Sequence, residues 1–206
     1  TAARVFSAIR QAGGANTFVL FGAVHDSQFF GRPSVWARGQ WRTPLGDIPI
    51  DEDVARLLVR ELPGDLEEYP EAHLEEHSLE VQVPFIQHLF PGANVVPIMT
   101  PPAASAGALG RRVAQILMEK GPQRTYVALG STDLTHYGPI YRFEPQGAAS
   151  QALEWSKQTN DRRILELALR MREDEIVAEA EEHHNACGAG ALAAVCGYAH
   201  HLGAQA

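Results

Sequence analysis

"TFVLFGA", residues 17–23, is an unbroken run of mostly apolar residues ending at Gly22 and Ala23, and the polar stretch that follows carries His25. A run of strand length without alternation suits a strand covered on both faces, as parallel strands are. The pattern recurs in "ANVVPIMT", 93–100, and in "RTYVALGSTDLTHYG", 124–138, where the apolar run ends in a polar tip with Asp133 and His136. Helical spacing fills the gaps. Residues 2–12 place Val5, Phe6, Ile9 and Ala12 on one face before Gly13 and Gly14, and 52–61 follows Asp51 as N-cap and stops before Pro63 and Gly64. A helix over 104–119 puts Leu109, Val113, Ile116 and Leu117 together, and further helices are expected over 147–169 and 173–183. Residues 77–90 also read as a helix, with Pro84 bending it or marking its true start. "WARGQWRTPLGDIPID", 36–51, suits a hairpin-like excursion, and the acidic stretch Glu67–Glu76 a solvated loop. "NACGAGALAAVCGYAHHL", 185–202, reads as a glycine-rich turn entering an alanine-rich helix built for close packing. Strands alternating with helices predict an α/β protein with a mainly parallel central sheet and helices on both faces.

The 206 residues are enough to bury a substantial core, and the expectation is a single domain over 1–206. A formal charge of −8 argues against nucleic acid as the main partner, and the apolar runs are too short to span a membrane. Cys187 and Cys196 are too few for a disulfide scaffold, which makes a reducing cytoplasm the expected compartment. The first residues, "TAARVFSAIR", open inside a helical pattern without an initiator Met, so the expectation is that upstream material is missing.

In open α/β sheets ligands bind beyond the carboxyl ends of the strands, the address shared by His25, Asp133 and His136. An imidazole or a thiolate can bind a borderline metal. His25 is either such a ligand or a polar loop residue. Cys187 precedes Gly188 at the start of the last helix, where the dipole favours a thiolate that could bind metal or act as a nucleophile; the alternative is a small buried residue, as expected of Cys196. Asp133 can orient His136 as an acid/base, or it can simply cap a helix. Glu76, His77 and Glu80 form another polar cluster, with His77 and Glu80 on one helix face. His184 is near enough in sequence to approach a metal on Cys187, while His88, His200 and His201 read as surface residues.

Taken in order, "FGAVHDS", "WRTPLGDIPID", "EEHSLEVQVPF", "STDLTHYG" and "HNACG" resemble the Memo family, whose prokaryotic branch is called AmmeMemoRadiSam system protein B. The resemblance covers the whole chain. It implies a fold like that of class III extradiol dioxygenases, nonheme iron enzymes that open catechol rings. It implies that His25 and Cys187 are metal ligands, that His136 matches the acid/base residue with Asp133 beside it, and that Glu76 and His77 line the cleft and contact substrate. The family's first metal histidine belongs to a Pro-His-Ala-Gly-Tyr motif on a strand upstream of this chain's first helix. Without that strand an exposed sheet edge would favour self-association into a homo-oligomer. Where the family often has a second histidine, this chain has Asp26.

Two functions follow as expectations. The first is a metal-dependent oxidoreductase with Fe(II), or copper given the softer thiolate, and a small-molecule substrate. The second is a non-catalytic module that binds a peptide or a partner protein in the same cleft, with Arg4, Arg32, Arg38 and Arg42 supplying any anion site. The family name adds AMMECR1-like and radical-SAM proteins as partners.

Overall fold

A computed structural model of the chain describes residues 2–29, 31–147 and 150–204. Helix α1 (Ala2–Gln11) leads into β1 (Thr17–Gly22), all six residues of which are buried. After β2 (Ser34–Val35), the strands β3 (Gln40–Thr43) and β4 (Gly46–Pro49) form an antiparallel hairpin apart from the main sheet. Helix α2 (Glu52–Glu61), β5 (Glu67–Glu68), α3 (Val83–Leu89), β6 (Asn94–Met99), α4 (Ala106–Lys120) and β7 (Tyr126–Gly130) follow. The chain closes with α5 (Ser150–Trp155), α6 (Asp161–Leu169), α7 (Glu173–His183) and α8 (Ala189–His201).

The five-stranded sheet has the order β5-β2-β6-β1-β7. β1 runs parallel to β6 and β7, pairing Thr17 with both Asn94 and Tyr126. β2 is antiparallel to β6 and parallel to β5, so the sheet is mostly parallel, as the apolar runs predicted. Helices cover both faces. On one, Phe18 of β1 meets Phe90 at a ring-centroid distance of 4.9 Å, and Phe6 of α1 stacks on Phe85 of α3 at 5.2 Å. On the other, α8 packs on β1 and β7 and is in turn covered by α4. That pair comes close because Gly110 lacks a side chain; a Cβ there would lie 1.8 Å from the Ala194 carbonyl oxygen.

The helices expected at 52–61 and 104–119 form, the first capped by the Asp51 carboxylate, which accepts the N–H of Val54. The expected helix over 77–90 is shorter. Only Val83–Leu89 is helical, with Pro84 in its first turn, because a proline has no N–H to continue the ladder back to Glu80. His77 therefore lies in irregular chain and Glu80 in a turn, and the two do not share a helix face. The acidic stretch Glu67–Glu76 is not simply solvated loop either. Glu67 and Tyr69 donate their N–H groups to the carbonyls of Pro33 and Val35, making β5, and His73 is buried. The helix expected over 147–169 begins at Ser150, with 148 and 149 outside the described residues, and a single π turn at Ser156–Asn160 divides it. Cys196 is buried and Cys187 half-buried, and both are free thiols. Among the described residues no helix is long and apolar enough to cross a membrane.

Candidate functional site

Because β1 and β7 are parallel neighbours, the loops after them leave the sheet at the same end. These loops, with the turn after His73 and the entry to α8, surround a cavity of about 370 Å³. His25, His77, Asp133, His136 and Cys187 all line it, and Phe6, Leu20 and Leu129 give it an apolar wall. The polar side chains fall into two groups, His25–Glu76–His77 and Asp133–His136–Cys187. Within each group, one ligand-capable atom per residue lies within 4.8 Å of the others.

In the first group a single carboxylate organises the rest. Glu76 accepts the backbone N–H of His25 at Oε2, 2.9 Å, and the N–H groups of His77 and Ser78 at Oε1, 2.9 and 3.0 Å. Its Oε1 also lies 2.9 Å from Nδ1 of His25. Burial raises the Glu76 pKa, but the hydrogen bonds from His25 and from the Ser78 and His25 amides outweigh it and leave the carboxyl below its ordinary value. An ionised carboxylate only accepts, so the His25 proton sits on Nδ1 and the lone pair is left on Nε2. Paired this way, an imidazole is held in one orientation toward a metal. The ring of His77 stacks on that of His25 with centroids 4.7 Å apart.

In the second group two loops interlock. The N–H of Asp133 donates to Sγ of Cys187 at 3.3 Å, and the N–H of Cys187 donates to the Asp133 carbonyl at 3.1 Å. Gly188, the N-cap of α8, donates its N–H to Oγ1 of Thr132 at 2.9 Å. The approach requires glycine, since a Cβ at Gly188 would lie 2.3 Å from the Ser131 carbonyl oxygen. The sulfur thus accepts from a backbone amide just ahead of the first turn of a 13-residue helix. His136 lies with Nε2 3.7 Å from Oδ2 of Asp133, longer than a hydrogen bond, and its ring packs on Tyr141 at 4.7 Å.

The donor atoms available are imidazole nitrogen, cysteine sulfur and carboxylate oxygen, types that borderline transition metals accept. His25 and Cys187 line one cavity but belong to different groups. Glu76 is not among the cavity-lining residues; its side chain is 5% exposed and turned to His25. Asp26 is exposed, its Oδ1 accepting the N–H of Gln28 at 3.0 Å in the manner of a loop cap. His184 opens with Cys187 onto a neighbouring hollow of about 340 Å³. Arg32, Arg38 and Arg42 are paired with Glu67, Glu68 and Asp47, and neither they nor Arg4 line the main cavity. Tyr141, whose ring packs on His136, carries no sequence signal that distinguishes it from any loop aromatic.

Fold and cavity together define a class: an α/β protein with a pocket of histidines, a cysteine and an aspartate at the carboxyl ends of parallel strands. The family described as Memo-like protein matches residues 1–206, and the chain belongs to the Memo family. A MEMO1 family protein of Pyrococcus abyssi is 35% identical over 218 residues, covering 100% of this chain and 72% of that protein. One from Thermococcus kodakarensis is 37% identical over 218 residues, with 99% and 71% covered. The crystal structure of an uncharacterized protein from Escherichia coli K12 shares the fold, with a TM-score of 0.57 at 15% identity over 95% of this chain and 81% of that one.

Proposed function

We propose that the chain is a nonheme metal-dependent oxidoreductase acting on a small, partly apolar substrate, with Fe(II) as its metal and copper as the alternative. The observation that carries this reading is the pairing of His25 with the buried Glu76, which leaves Nε2 free on the same cavity as Cys187. His25 and Cys187 would hold the metal, with coordination positions left open. The metal, when bound, supplies a Lewis-acidic, redox-active centre at which a substrate and oxygen can be gathered.

The chain's own residues supply the rest. Glu76 keeps His25 oriented with its proton on Nδ1. His136, which lines the cavity close to Cys187 and Asp133, would take or return a substrate proton at Nε2. Phe6, Leu20 and Leu129 offer an apolar surface that excludes water from one side of a bound ring.

Anaerobic loading with Fe(II) or Cu(I), followed by metal analysis of the desalted protein, tests the reading. Near-stoichiometric metal in the wild type, lost in Cys187→Ser and bound about 10–100-fold more weakly in Glu76→Gln, is the expected result. A wild-type chain that retains neither metal overturns it.

A further inference from the structure

The motif "HNACG" contains an asparagine that the cavity does not use. Asn185 is fully buried and does not line the cavity, its Nδ2 donating to the Asn160 carbonyl at 3.0 Å and to Oε1 of Glu179 at 3.1 Å. Asn160, 2% exposed, closes the π turn between α5 and α6. Its own Nδ2 donates to Oγ1 of Thr135 at 3.0 Å and to the His183 carbonyl at 2.9 Å. Thr135 is gripped a second time, its N–H donating to Oδ1 of Asp161 at 3.0 Å.

The consequence is a buried bridge between two loops. Thr135 lies between Asp133 and His136, and Asn185 lies two residues before Cys187. Asn160 stands at the end of a π turn, a feature frequent at functional sites, and its carbonyl accepts from Asn185 outside its own helix. The bridge has a cost: Oδ1 of Asn185 is buried without a partner, which burdens the fold and gives packing alone no reason to keep an asparagine there.

We propose that Asn160 and Asn185 are positioning residues, holding the Cys187 loop against the Asp133–His136 loop so that sulfur, imidazole and carboxylate stay within reach of one another. This rests on the metal-site reading for its consequence, though not for its geometry. They touch no substrate or metal; they act through Thr135 and through the backbone leading to Cys187.

The test compares wild type with Asn185→Ala, Thr135→Val and Thr135→Ser, and with Ile48→Ala as a remote core variant that also loses stability. Two readouts are taken, amide hydrogen exchange of segments 131–137 and 184–188 in the metal-free protein, and Co(II) titration followed by the thiolate-to-cobalt absorption band. In Asn185→Ala and Thr135→Val, exchange in both segments should rise about tenfold. Co(II) affinity should fall about 10–100-fold with a weakened band. Thr135→Ser, which keeps the hydroxyl, and Ile48→Ala should retain wild-type values of both. If the wild type itself gives no Co(II) band, the metal reading falls and exchange alone decides the positioning role. Unchanged exchange in a folded Asn185→Ala, or raised exchange with wild-type Co(II) binding, overturns the proposal.

Discussion

His73 is 5% exposed, its ring set edge-on between Trp36 and Trp41 at centroid distances of 6.1 Å from each. Burial lowers its pKa from 6.5 to about 4, against the pull of the nearby Glu76 carboxylate. The folded protein therefore keeps this imidazole neutral while the unfolded chain takes up a proton below pH 6.5, so stability falls as the pH drops from 6.5 towards 4. Between pH 7 and pH 5 this one group should cost about 2 kcal/mol, read as a drop in urea midpoint that is absent in His73→Leu. An equal pH dependence in wild type and variant would show that His73 is not the group responsible. Residue-scale legibility was uneven. His25, Asp133, His136 and Cys187 were visible as polar residues just beyond apolar runs or at a helix start. The burial of His73 and the turning of Glu76 towards His25 were not, because both lie in a stretch whose composition is acidic and whose order comes from long-range contacts.

At the scale of elements, the closest packing is that of α4 on α8, where Gly110 meets the Ala194 carbonyl. Gly110→Ala must push the two helices apart, at an expected cost of about 1–3 kcal/mol measured by urea unfolding. No loss of stability would mean that the helices shift freely. The small residues in "NACGAGALAAVCGYAHHL" point to close packing of α8, while its partner α4 comes only from the structure. The missed boundary at 77–82 has an equally local cause. Leu79, Val83 and Ile86 are buried at helical spacing, yet the N–H groups of His77 and Ser78 go to Glu76 and Pro84 has none to give, so only the last turns become helix. Strands β2 and β5 have two residues each, too few to show a side-chain period.

For the whole molecule, a metal that binds the folded chain and not the unfolded one must raise its melting temperature with concentration. At about 100 times the dissociation constant the gain is about 2.7 kcal/mol. Calorimetry with Fe(II) under anaerobic conditions should show it for wild type and not for Cys187→Ser, and equal shifts in both would place the bound metal elsewhere. The order β5-β2-β6-β1-β7 sets up this coupling, because it seats β1 beside β7 and so brings two loops more than 100 residues apart in the chain to one cavity.

The sequence by itself determined the α/β class, the three long strands and most helices, since those depend on local periodicity and caps. It also determined which polar residues stand beyond the strand ends and, through ordered motifs, the family. Only the tertiary structure decided the strand order, the Glu76–His25 pairing, the separation of His25 and Cys187 into two groups, and the Asn160–Asn185 bridge. Each of these is a contact between distant segments, chosen by how buried hydrogen-bonding groups find partners when the sheet closes, and no local pattern encodes that choice.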